Sequence, residues 1–410
     1  MVTPREAVQQ RTLVTLSITS VLSGVGVVST VAAGGLLVAD ITGSESLAGL
    51  AQTFNVLGAA AMAVPLARLT RAGGRRLALG LGYAIASVGA LSAILGGTHR
   101  LLAFMLAGTF LLGASSAANY QGRFAAVDLA HDDHRARDLS FVVWASTVGA
   151  VAGPNLMEPF GQVAQHIGMP RLTGPYLLAF AMLGLAAANI WLRLRPDPYT
   201  LSVERLARDT GEAHAALPVR EVLALLRANP RAWLGLVSVA TGHLAMVSIM
   251  VMTPVHMQHV DVSLRVIGLV ISVHVAGMYA LSPIIGRLAD RVGRPRTIQL
   301  AVAVLLAAAA IAGTAAPDDS VQLGVGLFLL GVGWSGTLIG GSTLLSESIP
   351  VSIKASAQGA NDLVMNLAAA AGGALAGVII ATLGYGRLCA LVAAPVALLG
   401  LRATRLAAAA

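Results

Sequence analysis

Long apolar stretches alternate with short polar segments along the whole chain. A membrane-spanning helix needs about 20 mainly apolar residues, and ten stretches of this kind contain no Asp, Glu, Lys or Arg. An eleventh stretch carries a single acid, and a twelfth has arginines near its ends, from which such side chains can reach the membrane surface. The pattern therefore predicts twelve spans, over residues 12–39, 46–67, 77–99, 101–122, 139–157, 172–192, 232–260, 266–286, 297–317, 320–346, 356–381 and 387–404.

One long polar segment divides these spans into six and six. Three prolines interrupt it, and residues 217–226 are expected to form a short surface helix. The predicted organisation is a six-helix half over 1–193, a cytoplasmic middle loop over 194–230 and a second six-helix half over 231–410.

Composition agrees with a membrane protein. Hydrophobic residues make up 56% of the chain and charged residues 11%, against about 25% charged residues in soluble domains. Mean hydropathy is +0.77, and a soluble fold of this length could not cover its surface with so few charges. The 45 glycines suit close helix packing in lipid. The single cysteine, Cys389, excludes a disulfide framework and a cysteine metal cluster.

The basic residues are distributed unevenly between the predicted loops. If the N-terminus is cytoplasmic, only Arg100, Arg171, Arg265 and Arg387 fall in outer loops, and almost all the other basic residues fall inside. Positive charge favours the cytoplasmic side of a membrane, so both termini are predicted to be cytoplasmic. The same asymmetry explains the net charge of +8 without a nucleic-acid partner.

The two halves repeat. Phe110–Gly113 in span four recurs as Phe328–Gly331 in span ten, and the loop after span two (residues 66–76) is matched by the loop after span eight (residues 286–296). Two six-span halves suggest a binding site at their interface and rocking of the halves as the working motion.

The loop at 286–296 resembles the signature loop of the major facilitator superfamily, and the resemblance extends over the whole chain. It implies an all-α fold of twelve transmembrane helices in two six-helix, pseudo-symmetric halves, working as a secondary transporter. The expected gating residues are Gly286, Asp290, Arg291, Gly293 and Arg294. We expect the acid to cap a neighbouring helix N-terminus, that of span eleven, and to meet arginines. The alternative is that these arginines serve only as topology signals.

The first-half copy of this loop departs from the family pattern, because Leu66 replaces the glycine and Thr70 the acid. A separate charge cluster is expected instead, and its second-half counterpart would pair Glu347 with Lys354. The alternative is a solvated interfacial cluster. The cluster would contain Asp128, Arg135 and Arg137, with Arg71 as a further member.

Span five contains Gly149, Gly153 and Pro154, which resemble the start of the antiporter motif of drug/proton exporters. Small residues four apart pack against a neighbouring helix, and proline can bend its own. The residues that follow depart from the motif, and Thr109 stands where proton-driven relatives carry an arginine. A plain packing motif is the alternative.

Ionisable and polar residues inside the spans are candidates for contact with substrate or protons. His243, near the middle of span seven, is the first candidate because histidine changes charge near neutral pH, and His274 in span eight is the second. The alternative for both is a neutral histidine hydrogen-bonded between helices. The other candidates are Asn119, Gln121, Arg123, Glu158, Trp334, Asp362 and Asn366.

Three of these candidates carry specific expectations. Asp362 shares one face of span eleven with Gln358 and Asn366, either facing the inner vestibule or bonding between helices. Arg123 could meet an anion, but pairing with Asp128 is preferred. Glu158 either takes a proton or a cationic substrate or lies at the interface.

The sequence thus predicts proton-coupled export of a small organic molecule by a monomeric, multi-pass protein of a bacterial inner membrane. Proton-coupled uptake is the alternative. No cofactor, catalytic residue or metal is expected, and no phosphate-binding Gly-x-x-x-x-Gly-Lys loop exists to bind ATP. An intramembrane enzyme is a remote alternative, through Gly333–Gly336 as a serine-protease motif or His131–His134 as a metal site.

Overall fold

The computed structural model describes residues 4–43, 47, 50–210, 217–258 and 264–408. These residues form long helices joined by short connections. The helices are α1 Pro4–Thr42, α2 Leu50–Thr98, α3 Leu102–Ala125, α4 Arg135–His166, α5 Gly174–Arg193, α6 Pro198–Thr210, α7 Val219–Ala228, α8 Pro230–Gln258, α9 Leu264–Tyr279, α10 Ser282–Val292, α11 Arg294–Gly313, α12 Ser320–Glu347, α13 Lys354–Leu383 and α14 Tyr385–Ala408.

The membrane-spanning elements follow the predicted pattern. Within the described ranges, ten helices are long and apolar enough to cross a membrane, and a bent pair inside α4 makes eleven. One of the ten, α2, contains predicted spans two and three, so these helices account for all twelve predicted spans. The all-α, twelve-span prediction is therefore confirmed.

The turn between spans two and three is tighter than a loop. The backbone leaves helical geometry only at Gly73, with φ −150° and ψ 19°, and at Gly74, with φ 80° and ψ 179°. A positive φ favours glycine because it has no Cβ. In the second-half copy, Gly293 has φ 89° and separates α10 from α11. The repeated loop therefore keeps a turn glycine in both halves.

The repeated glycine of spans four and ten makes equivalent contacts. A Cβ on Gly113 of α3 would lie 2.5 Å from the backbone nitrogen of Ala59 on α2. A Cβ on Gly331 of α12 would lie 2.5 Å from the carbonyl oxygen of His274 on α9. Each glycine lets two helix backbones approach closely, as expected for helices packing without a hydrophobic driving force.

The middle segment forms two helices where one was predicted. The predicted helix corresponds to α7, while α6 was not foreseen. The Asp197 carboxylate accepts hydrogen bonds from the backbone nitrogens of Tyr199 (3.0 Å) and Thr200 (3.1 Å), which caps α6. It also accepts from the backbone nitrogen of Arg76 at 2.7 Å, so the same side chain holds the second part of α2.

The chain forms two compact units, described separately below. The first contains 1–130, 145–219 and 351–363, and the second contains 131–144, 220–350 and 364–410. Each unit thus includes one short segment from the other half of the sequence: the start of α13 belongs to the first unit and the start of α4 to the second.

Candidate functional site

A buried ion pair lies at the centre of a polar cluster in the first unit. Arg75 follows the glycine turn in α2, and Asp128 follows the end of α3. The guanidinium donates from Nε to Asp128 Oδ2 at 2.8 Å and from Nη2 to Oδ1 at 3.2 Å, and both side chains are fully buried. This two-point geometry is the strong form of an arginine–carboxylate bond. The Lys354 ammonium lies 3.6 Å from Asp128 Oδ1.

Glutamines connect this pair to a second one. Arg75 also donates to the side-chain oxygens of Gln121 at 3.0 Å and Gln358 at 2.5 Å. The Gln121 amide in turn donates to Asp362 Oδ2 at 3.1 Å. One arginine therefore contacts α3 and α13 together, and a single network runs from α2 to the start of α13.

The second ion pair joins Arg123 of α3 to Asp362 of α13. Arg123 Nη2 lies 2.6 Å from Asp362 Oδ1, and the side chains are 2% and 0% exposed. The guanidinium carbon lies 4.8 Å from the ring centre of Phe124 and 5.3 Å from that of Tyr120. Because both charges are buried, removing either one would leave the other without compensation in an apolar environment, which is strongly unfavourable. We refer to Arg75, Gln121, Arg123, Asp128, Lys354, Gln358 and Asp362 as the buried charge cluster.

The pairings inside this cluster differ from the predicted ones. The prediction that Arg123 pairs with Asp128 was wrong, because Asp128 pairs with Arg75 and Arg123 pairs with Asp362. Pairing of Glu347 with Lys354 was also wrong, because Lys354 lies beside Asp128. Asp362 bonds between helices, the second of the two possibilities considered for it. Arg75 lies in a predicted loop and is not among the site residues predicted from the sequence.

A second polar site, in the second unit, surrounds Asp290 of α10. Its carboxylate accepts hydrogen bonds from the backbone nitrogens of Ala136 at 3.1 Å and Arg137 at 2.9 Å. These are N–H groups of the first turn of α4, which lack partners inside the helix. Asp290 therefore caps a helix N-terminus as predicted, but the prediction that this helix is span eleven was wrong: it is span five. We call this arrangement the α4 cap.

Two other members of the signature loop support the α4 cap. A Cβ on Gly286 would lie 2.6 Å from Ser140 Cβ and 2.7 Å from the Ala136 carbonyl oxygen, so glycine allows α10 to touch α4. Arg294 lies 3.1 Å from Asp290 Oδ1 and 2.8 Å from Glu347 Oε1, linking α10 to the end of α12. Arg291 is exposed.

Two gating candidates remain, Arg135 and Arg71. Arg135 is the first residue of α4 and belongs to the second unit, not to the unit that contains Asp128. Arg71 ends the first part of α2, and its Nε and Nη1 are buried without a hydrogen-bond partner.

The glycines of span five pack closely against α1. A Cβ on Gly149 would lie 2.7 Å from the Cα of Gly24, and one on Gly153 would lie 3.1 Å from the backbone nitrogen of Ser29. The axis of α4 bends by 51° between Gly153 and Asn155. The side chain of Pro154 lies outside what the structure describes. The predicted packing role of the two glycines agrees with these contacts.

Two separate candidates, His243 and Trp334, meet in the second unit. Trp334 Nε1 of α12 donates to His243 Nδ1 of α8 at 2.9 Å, and both side chains are buried. The Tyr279 ring from α9 lies nearly perpendicular to that of Trp334, at 85°, with ring centres 5.8 Å apart. The three rings combine aromatic faces with hydrogen-bonding edges, a combination suited to a planar polar molecule.

The other polar candidates are placed separately. His274 Nδ1 lies 2.7 Å from the Leu327 carbonyl oxygen, as expected for a histidine bonded between helices. Asn119 accepts hydrogen bonds from Ser23 at 2.8 Å and Tyr83 at 2.9 Å. Glu158 is exposed and pairs with Arg171, and Asn366 is buried in the second unit.

A cavity in the first unit was not foreseen. Its volume is about 130 Å³, and α1, α2, α3 and α5 surround it. The Tyr176 hydroxyl at its wall is buried without a hydrogen-bond partner. Its polar lining consists of single amides and hydroxyls on otherwise apolar helices, which gave no distinct signal in the sequence. These are Thr30, Gln52, Asn55, Thr109, Ser116 and Tyr176.

The long apolar helices, the repeated glycine contacts and the sequence repeat define a polytopic membrane protein built from two related halves. The chain belongs to the major facilitator superfamily, whose family model matches residues 16–264 and 243–408. It is therefore a transporter rather than an enzyme, embedded in a membrane and acting on a small molecule.

Individual relatives agree with this assignment. The chain is 34% identical to the uncharacterized MFS-type transporter YdeG of Bacillus subtilis, over 93% of this chain and 88% of YdeG. It is 30% identical to the riboflavin transporter RfnT of Brucella anthropi, over 87% of this chain and 85% of RfnT. Its fold resembles that of a bacterial homologue of the iron transporter ferroportin in an outward-facing state, with a TM-score of 0.72, 14% identity, and coverage of 96% and 98% of the two chains.

Proposed function

We propose that the protein exports a small organic molecule in exchange for protons by alternating access. The observation that carries the proposal is the buried pair between Arg123 and Asp362. It joins α3, a helix of the first six spans, to the start of α13, the eleventh span. A link of this kind, made and broken in each cycle, is what rocking of two halves requires.

The chemistry of Asp362 supplies a route for coupling. As a carboxylate it accepts from Arg123 at 2.6 Å, from Gln121 at 3.1 Å and from Asn361 at 3.3 Å. Protonation removes the negative charge and leaves the Arg123 guanidinium without its ionic partner. Because an unpaired buried charge is strongly unfavourable, α3 and the start of α13 then separate so that water can reach Arg123. Proton binding would thereby favour one conformation over the other.

The proposal of export rests on span five. Gly149 and Gly153 match the opening of the antiporter motif and hold α4 against α1 at backbone contact. Uptake remains the second candidate because Thr109 stands where proton-driven relatives carry arginine.

For the substrate, we infer a planar organic molecule with hydrogen-bonding edges. The group formed by His243, Trp334 and Tyr279 places aromatic rings from three helices next to one another. The similarity to RfnT points the same way, since riboflavin combines a flat ring system with polar edges. His243→Ala should weaken binding or alter the pH dependence of transport. If both are unchanged, His243 has only a structural role.

Proteoliposomes test the coupling through Asp362. Asp362→Asn should abolish uphill transport driven by a pH gradient, because an amide cannot bind and release a proton. Exchange of labelled for unlabelled substrate without a gradient should persist at a reduced rate, because the amide oxygen can still accept a hydrogen bond from Arg123 although the ion pair is lost. The matched control is Asp40→Asn, which neutralises an exposed acid paired with Arg100 and should transport as the wild type does. Gradient-driven transport by Asp362→Asn would contradict the proposed role.

We further propose that the protein is a monomer of the bacterial inner membrane with both termini in the cytoplasm. The asymmetry of basic loops supports this orientation. A reporter protein that is active only in the cytoplasm should be active when it is fused to either terminus.

A further inference from the structure

A small pocket in the first unit concentrates positive charge without acid. It lies between the end of the first part of α2, the start of α13 and the residues leading into α7. Its volume is about 20 Å³, enough for one water-sized group such as a single oxygen of a larger anion. We call it the Arg71 pocket. Its lining consists of Val64, Ala67, Arg68, Arg71, Leu217, Val219, Ser356 and Gly359.

Two polar groups at this pocket are buried without partners. Arg71 has no hydrogen-bond partner for Nε or Nη1, and the Ser356 hydroxyl has none either. Ser356 is 8% exposed. Leaving such buried groups unsatisfied is unfavourable. All of the unsatisfied atoms can donate a hydrogen bond, so they call for an acceptor.

The electrostatics specify the charge of that acceptor. Arg68 and Arg71 both line the pocket, and none of the eight lining residues is acidic. Ser356 is the third residue of α13, and the N-terminus of a helix attracts anions through its free N–H groups and its dipole. By contrast, Arg75, four residues after Arg71, has its own carboxylate.

The packing around the pocket keeps it narrow. Gly359 of α13 faces Ala67 of α2 so closely that a Cβ on the glycine would lie 3.3 Å from the Ala63 carbonyl oxygen. This contact brings Ser356 and Arg71 to the same pocket, while the exposed Arg68 can close over a ligand from outside. A tetrahedral oxyanion suits this arrangement because guanidinium groups form strong, charge-assisted hydrogen bonds to phosphate oxygens.

We propose that the Arg71 pocket binds one oxygen of a phosphate group between Arg71 and Ser356, while the rest of the group lies outside the pocket on the side of the exposed Arg68. The inference goes beyond the proposed function and does not depend on it. The pocket lies at the end of a membrane-spanning helix, so the phosphate can come from an anionic lipid headgroup or from a soluble phosphate.

Binding measurements on the purified full-length protein distinguish these sources. In the lipid arm, native mass spectrometry counts phosphatidylglycerol molecules retained after extraction from mixed phosphatidylglycerol and phosphatidylcholine bilayers. In the soluble arm, inorganic phosphate is titrated into protein held in pure phosphatidylcholine nanodiscs while thermal unfolding is followed. Arg71→Gln should weaken binding about tenfold or more in the arm that responds, because a charge-assisted pair is lost.

Two variants keep the test interpretable. Arg231→Gln removes an exposed arginine outside the pocket and should bind as the wild type does. Ser356→Ala, a mild change that should fold even if Arg71→Gln does not, is expected to weaken binding about threefold. Retention of phosphatidylglycerol alone assigns the site to lipid, and stabilisation by phosphate assigns it to a soluble ligand. No response in either arm, or equal responses from wild type, Arg71→Gln and Ser356→Ala, would overturn the proposal.

Discussion

Arg123 and Asp362 show how strongly two residues can depend on each other. Both are buried, and the atoms that join them lie 2.6 Å apart. Removing one partner of a buried pair typically costs about 3–5 kcal/mol, whereas replacing both can be nearly neutral. The pair therefore fixes the position of α13 on α3 more than it adds to overall stability.

This asymmetry gives a double-variant prediction. Asp362→Asn alone should lower the free energy of unfolding by about 3 kcal/mol, because it leaves Arg123 charged and unpaired. Adding Arg123→Gln should recover much of the lost free energy of unfolding. Thermal or denaturant unfolding in detergent gives the stability of the wild type, the single variant and the double variant. If the double variant is less stable than Asp362→Asn, the pair does not have the coupling described.

Arg75 depends on geometry as well as charge. Its guanidinium contacts Asp128, Gln121 and Gln358 at once, and an ammonium cannot reproduce that fork. Arg75→Lys should therefore destabilise the protein by about 2 kcal/mol despite keeping the charge. Arg195→Lys, at an exposed position, is the matched control and should leave the melting temperature unchanged. Equal melting temperatures for the two variants would mean that charge alone matters at Arg75.

At the scale of elements, the contact between α10 and α4 depends on one missing side chain. A methyl group on Gly286 would meet Ser140 and the Ala136 carbonyl. Gly286→Ala should push α10 away from α4, break the hydrogen bonds of Asp290 and cost about 1–3 kcal/mol. The rate of transport should fall as well. Gly324→Ala is the control, because nothing lies within 4 Å of its added Cβ, and it should be neutral or slightly stabilising.

The motion of the same contact can be followed by labelling. Cys389 is buried, so a cysteine introduced at Ser140 can be labelled selectively in the membrane. Adding Asp290→Ala should raise the labelling rate at this position, since the first turn of α4 loses its cap. A rate equal to that with Asp290 intact would indicate that the α4 cap does not hold the two helices together.

The elements were predictable because hydrophobic length and glycine position are local properties. Twelve spans followed from apolar stretches, and the equivalent contacts of Gly113 and Gly331 followed from a repeated motif. The capping role of Asp290 was also expected, since a carboxylate is stabilised by the free N–H groups at a helix N-terminus.

The choice of partners was not predictable in this way. Arg123 and Asp362 are 239 residues apart, and spacing along the chain does not say which of several charged residues will meet. Asp290 caps span five rather than span eleven for the same reason. The cavity beside Tyr176 arises from imperfect packing of four helices, which leaves no trace in hydropathy.

For the whole molecule, we propose that protons drive the outward movement of a planar organic substrate through changes at Asp362. Family membership establishes transport, while coupling and direction are the part that an experiment must decide. Both depend on the same quantity, the direction of substrate flux relative to an imposed proton gradient.

The most direct measurement is flux of labelled planar heterocycles, riboflavin among them, in proteoliposomes of known orientation under an imposed pH gradient. We predict that a compound moves uphill in the direction opposite to proton flow, that collapsing the gradient stops it, and that Asp362→Asn does not support it. Movement in the same direction as the protons, or uphill flux that survives Asp362→Asn, would contradict the account.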